Sequence, residues 1–130
     1  FNARTPTELD VALNQAAAAQ VDSYFTASDP LILDRRATII AFGQRHRLPG
    51  IGFVRQFSAG GSLLSYGPSI IWMYEQCGMY VGSILKGMKV GDLPILQPTD
   101  FEFVINLNTA TELGISVSRD LLAQTTEFIE

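Results

Sequence analysis

Asp29, Arg55 and Tyr66 are polar residues whose positions in the chain could bring chemistry to one place. Each belongs to a loop that follows a short run of strand formers. Val21 to Ala27 (VDSYFTA) leads into Ser28-Asp29-Pro30, Gly50 to Val54 (GIGFV) into Arg55-Gln56-Phe57, and Leu63 to Tyr66 (LLSY) into Gly67-Pro68. In open α/β sheets ligands bind outside the carboxyl ends of the strands, so three such loops would share one edge. They would offer a carboxylate, a guanidinium, hydroxyls and aromatic rings, a mixture that holds a polar or zwitterionic organic molecule. Plainer roles compete at each position. Asp29 before Pro30 is an ordinary helix entry, Arg55 could form a surface ion pair, and Tyr66 could be a core residue with its hydroxyl at the surface.

Groups that would transform a bound molecule are scarce. The chain has no G-x-S-x-G, no G-x-G-x-x-G, no Walker lysine loop and no H-E-x-x-H. The single histidine, His46, stands between Arg45 and Arg47 at the expected exposed end of a helix, where the helix dipole favours it. The single cysteine, Cys77, cannot form an internal disulfide; it lies in an apolar run without His or Cys neighbours and is expected to be a small buried hydrophobe. Met73 and Met79 read as packing residues. Gly60-Gly61 reads as a turn and not a phosphate cradle, because no lysine or helix start follows. No catalytic residue, cofactor or metal site is therefore expected.

The elements that must position the loops alternate. Thr5-Pro6-Thr7-Glu8 caps an amphipathic helix to about Gln20, with Leu9, Ala12, Leu13 and Ala16 on one side. A second helix is expected from Leu33 to His46, with Ala37, Ile40 and Ala41 on its inner face. Helix, strand, helix, strand with short connections favours parallel βαβ units, hence an α/β sheet. The longest helix is expected over Ser69 to Lys86, with Ile70, Tyr74, Cys77, Val81, Ile84 and Leu85 forming a stripe and Gly87 closing it. Phe101 to Asn106 should be a strand burying Phe101, Phe103 and Ile105 on one face. A brief helix over Thr109 to Leu113 stops at Gly114, and Ser118 caps a last helix through Leu121, Leu122 and Phe128.

Composition bounds the rest. A chain of 130 residues with 47% hydrophobic and 17% charged residues has enough apolar surface for one ordinary domain. A net charge of −4 with scattered cations argues against a nucleic-acid partner. No run of about 18 apolar residues would span a membrane. Phe1-Asn2-Ala3-Arg4 resembles the tail of a strand running into a helix, as in a piece of a longer polypeptide.

Two stretches carry a family resemblance. RHRLPGIGFVRQFSAGGSLLSYGPS and ILKGMKVGDLPILQPTDFEFVINLNTATELGISV resemble the ABC-transporter substrate-binding protein family that includes tryptophan-binding, TrpX-like proteins. The resemblance implies a type I periplasmic binding protein fold: two α/β lobes closing on a ligand, of which this chain would be the C-terminal portion. Residues 1–67 would form most of the second lobe, its first strand missing, and 68–130 the hinge-crossing segments. The implied ligand-binding residues are Ser28, Asp29, Arg55, Phe57, Ser65 and Tyr66. Implied partners are a small-molecule ligand, such as an amino acid or related carboxylate, an ABC permease, and the missing N-terminal lobe. The implied location is periplasmic or extracytoplasmic, with a lipid anchor an option. A ligand-sensing domain of a regulatory protein and an α/β enzyme fragment are the alternatives. The apolar long helix makes self-association of the fragment plausible.

Overall fold

Local signals start the chain folding. In the computed structural model, which describes residues 1–130, Thr5 is extended and its side chain accepts the Glu8 N–H, with Pro6 opening helix α1 (Pro6–Ala18). Arg4 N–H donates to the Glu8 carboxylate at 2.8 Å, so two backbone donors at this helix entry are satisfied. There follow β1 (Tyr24–Phe25), α2 (Pro30–Asp34), α3 (Arg36–His46), β2 (Gly50–Gly52), α4 (Arg55–Ala59), β3 (Leu64–Pro68) and α5 (Ile70–Leu85). A 3₁₀ turn at Val90–Asp92 precedes β4 (Phe101–Asn106), α6 (Leu107–Leu113), α7 (Arg119–Gln124) and β5 (Glu127–Ile129).

The five strands form one sheet in sequence order. All neighbours are parallel except β3 and β4, which are antiparallel. The result is a mixed α/β fold whose sheet is mostly parallel. Strand register sorts the side chains into two faces. On one face Gly52, Ser65, Val104 and Glu127 stand in a row across four strands. Small residues there let α4 approach closely: a Cβ added to Gly52 would lie 2.2 Å from the Phe57 Cβ. Leu9 of α1, Ile39 and Ile40 of α3, and Val54 and Phe57 form the buried cluster on this side. Polar groups buried beneath α4 satisfy one another. Ser58 Oγ lies 3.0 Å from Ser65 Oγ, and Asn106 Nδ2 donates to the Ser58 carbonyl at 2.9 Å.

The other face carries a row of Phe25, Ile51, Leu64, Ile105 and Phe128, one residue from each strand. Ile105 is buried, whereas Phe25 and Phe128 at the ends of the row are exposed.

Several expectations need correction. The helix expected over 33–46 is two helices that meet at Arg35, which caps the first with φ −94° and ψ 14°. Its buried residues are Ile39, Ile40, Phe42 and Gly43, while Ala37 and Ala41 face outward. Arg55-Gln56-Phe57 is the start of α4 and not a loop. In β4 the expected burial of Phe101, Phe103 and Ile105 on one face holds only for Ile105: Phe101 is exposed and Phe103 half-buried, while Val104 and Asn106 are buried under α4 on the opposite face. Phe128 belongs to strand β5 and not to a terminal helix. Cys77 is exposed and no residue of α5 is fully buried; of its apolar stripe only Ile70, at the start of the helix, packs against the core cluster.

Candidate functional site

Strand direction places the candidate groups. β1, β2 and β3 run parallel, and β4 and β5 run against them, so the carboxyl ends of the first three lie beside the starts of the last two. Along that edge come Ser28-Asp29 after β1, Arg55 at the start of α4 after β2, Phe101-Glu102 at the start of β4, and Glu127 at the start of β5.

Asp29 is exposed and caps α2, its Oδ1 accepting the Leu31 N–H at 2.8 Å. That bond occupies one carboxylate oxygen and leaves Oδ2 for another donor. Ser28 beside it is exposed.

Arg55 and Glu127 form a two-point ion pair, with Arg55 Nε donating to one Glu127 oxygen at 2.7 Å and the terminal nitrogen to the other. The hydrogen bond that Arg55 donates to Glu127, then the Glu127 charge, raises the Arg55 guanidinium pKa, and nearby Glu102 adds to this. The same hydrogen bond and the Arg55 charge hold the Glu127 carboxyl below the ordinary glutamate range, against a smaller opposing effect of burial. Arg55 thus reaches the edge with its charge already matched.

Tyr66 is 58% exposed and stacks on Phe101 with centroids 5.6 Å apart, while Phe103 meets it edge-on at 6.0 Å. These three rings lie on the open face. The preceding residue, Ser65, points to α4, so alternation sends Tyr66 the other way. Arg55 and Tyr66 therefore stand on opposite faces of the sheet.

Two expected ligand residues lie inside the protein. Phe57 is 0% exposed, packed within the α1–α3–α4 cluster, and Ser65 is 1% exposed and bonded to Ser58. Neither presents surface to a solute. The residues that sequence reading passed over are Glu127, Phe101 and Phe103. The Phe-Glu-Phe alternation offered a hint for the aromatic pair. Nothing local marked Glu127 as the partner of Arg55.

A cavity of about 490 Å³ is a different place. It lies between α1, α3, β1 and Phe1–Ala3 and is lined mostly by apolar residues, with Asn2, Ser23, Thr26 and Asp29 adding polar surface. No group of three His, Cys, Asp or Glu residues is arranged to hold a metal ion, and no helix is long and apolar enough to cross a membrane.

A family model described as ABC transporter substrate binding protein matches residues 1–129. No curated protein matches the chain. Among solved structures, a conserved domain protein from Vibrio cholerae superposes with a TM-score of 0.88 at 24% identity, covering 98% of this chain and 43% of that one. An ABC domain from Streptococcus pneumoniae in complex with L-Trp gives 0.89 at 22% identity, covering 99% and 44%. A ligand-free, open substrate-binding protein with adhesive properties from Clostridium difficile gives 0.63 at 16% identity, covering 100% and 43%. These likenesses are of fold. The chain spans less than half the length of each of these proteins.

Proposed function

Because the chain belongs to the ABC transporter substrate binding protein family, we propose that it forms most of one lobe of a two-lobed protein that captures a small solute. The solute lies against the edge where β1 and β2 end, and a second lobe of the same polypeptide supplies the other wall. Ser28 and Asp29 contact it from the end of β1. Arg55 borders it through its Glu127-paired guanidinium, and Tyr66 closes the aromatic side. No covalent step is needed: a ligand that touches both lobes stabilises their closed arrangement and so shifts the population toward it. Delivery to an ABC permease from an extracytoplasmic location, lipid-anchored or free, completes the role.

One observation supports this reading above the others. The exposed polar groups gather at the carboxyl ends of parallel strands, where α/β sheets take ligands. The pneumococcal relative in fold holds L-Trp, so an amino acid or related carboxylate is the first class to try. A solute carboxylate has to compete with Glu127 for Arg55. An ammonium group finds the free oxygen of Asp29 directly.

Native mass spectrometry of the full-length polypeptide, purified without refolding, should reveal a retained small molecule. Calorimetry with a panel of amino acids and small carboxylates should then give saturable heat, weakened at least about tenfold in Asp29→Ala, as expected for loss of a charge-assisted contact. Asp29→Asn keeps the helix cap, so a loss shared by both variants belongs to the carboxylate and not to the cap. No retained molecule and no heat from the panel would refute solute capture.

A further inference from the structure

Helix α4 brings Arg55 to the candidate edge, and nothing in its own sequence holds it there. It has five residues, and its N-cap, Val54, makes no side-chain bond. A helix this short takes its position from tertiary contacts. Arg55 and Ser58, three residues apart, share one helix face and stand about 4.5 Å apart along the axis. That step nearly equals a strand spacing of about 4.8 Å. Beneath them Ser65, Val104 and Glu127 form one row across β3, β4 and β5. Ser58 is bonded at the first two of these and Arg55 at the third.

The seat of Ser58 is dry and completely bonded. Ser58, Ser65 and Asn106 are all buried. Ser58 Oγ lies 3.0 Å from Ser65 Oγ and 3.3 Å from the Val104 carbonyl oxygen. A hydroxyl carries one hydrogen, so both contacts are bonds only when Ser65 donates to Ser58 and Ser58 to the carbonyl. The Asn106 amide nitrogen donates to the Ser58 carbonyl at 2.9 Å, while its oxygen accepts the Thr109 N–H at 2.9 Å. No buried side-chain polar atom lacks a partner. An apolar contact tolerates a small slide, but a slide of α4 here would leave buried polar groups unpaired where water cannot reach them. This seat therefore fixes one position of the helix.

We infer that Ser58 and Asn106 are positioning residues of the solute edge, holding Arg55 through α4 in its two-point contact with Glu127. Both are buried, so neither meets a solute. They act by deciding whether the guanidinium stays matched by Glu127 or is released to an incoming carboxylate. Phe57, the other buried residue of α4, adds a non-directional apolar contact that holds the helix down without aiming it. The inference depends on the solute-capture reading for the purpose of the edge and not for the positioning itself.

Carboxyl-carbon NMR of the full-length polypeptide, following Glu127 through an acid titration, tests it without any solute. Ser58→Ala removes the hydroxyl of the seat. Asn106→Ser removes the donor to Ser58 and keeps an oxygen for the Thr109 N–H. Both variants should raise the Glu127 midpoint from its lowered value toward 4.5, as Arg55 leaves it. Ala110→Gly weakens the buried face of α6 and removes no bond to α4, so it should lower Tm and leave the midpoint in place. An unchanged midpoint in Ser58→Ala and Asn106→Ser would overturn the inference. An equal rise in Ala110→Gly would overturn it too, by making the shift a general effect of lost stability. With indole-3-propionate, calorimetry should show up to about fivefold tighter binding in both seat variants, because Glu127 no longer competes for Arg55. The two readings fail separately: a raised midpoint with no solute bound removes only the capture, and a bound solute with an unmoved midpoint removes only the positioning.

Discussion

Phe57→Ala should cost about 3–5 kcal/mol of folding stability and leave the solute affinity of the folded protein unchanged. The side chain is 0% exposed and lies among Leu9, Ile39, Ile40 and Val54, with the Phe53 ring tilted against it at 5.5 Å. A buried aromatic removes roughly 150–250 Å² from water. At about 25 cal/mol per Å² that is roughly 4–6 kcal/mol, an upper value because the unfolded chain already hides part of its surface. The hole would not close easily. On its sheet side the ring rests on the backbone of Gly52, which has no side chain to move into the space. Against a total stability of about 5–15 kcal/mol the loss is large. Urea unfolding should show a lower midpoint with an unchanged slope. A stability loss below about 1 kcal/mol together with weakened solute binding would refute the core assignment and restore Phe57 to the site.

Gly67→Ala should destabilise by about 1–3 kcal/mol or more, seen as a fall in Tm, because the new Cβ would lie 1.9 Å from the Phe53 carbonyl oxygen, a backbone atom. Burial, partly offset by the Ser62 hydrogen bond, raises the Tyr24 pKa above its ordinary value of 10.0. The corresponding stability is complete below pH 10.0 and is lost as pH rises through the shifted value, and Tyr24→Phe should abolish that alkaline loss in pH-dependent unfolding. Glu127 has the opposite sign: its pKa is lowered from 4.5, so the stability it adds is present above pH 4.5 and disappears as pH falls through the lowered value. Both partners are partly exposed, so Glu127→Gln should cost less than ~1 kcal/mol, and the difference from the parent should shrink at high salt in chemical denaturation.

Elements with local causes were readable from the chain. Thr5 and Ser118 cap their helices with their own side chains, whereas the Asn106 cap that starts α6 at Leu107, two residues before the expected Thr109, was not read. Each involves contacts within four residues, and such contacts survive without knowledge of the fold. The alternation of α/β elements and the strand at Phe101–Asn106 were equally legible. Helix α4 was not: it has five residues, and its N-cap, Val54, makes no side-chain bond. β5 was missed because a three-residue strand is defined by its partner, and that partner, Val104 to Asn106, is distant in sequence. Cys77 was misplaced because an apolar helical stripe predicts a partner without saying where it is. At the site, placement just after a strand was legible for Asp29 and Arg55, although Arg55 opens helix α4 and not a loop. The burial of Phe57 and Ser65 was not, since it depends on small residues at Gly52 and Ser65 drawing α4 onto the sheet.

The edge of the sheet reads charge differently once Arg55 is seen in place. Taken alone, a guanidinium at the strand ends suggests a receptor for carboxylates. Here its two-point geometry is already used by Glu127, with Glu102 close enough to reinforce its positive charge. Removing the Arg55 charge would strand two acids on the rim, so Arg55→Ala changes the electrostatics of the edge well beyond one contact. Asp29, by contrast, keeps an oxygen free while its other one holds the start of α2. An ammonium-bearing solute gains that oxygen without displacing anything, whereas a carboxylate must first break an existing pair. The same argument orders the variants. Asp29→Asn should weaken amine-bearing solutes selectively, and Glu127→Gln, by freeing Arg55, should strengthen binding of solutes that carry only a carboxylate. Calorimetry with tryptamine and indole-3-propionate beside L-tryptophan measures both shifts, and equal effects of Glu127→Gln on all three would show that the ion pair only fastens β5 to α4.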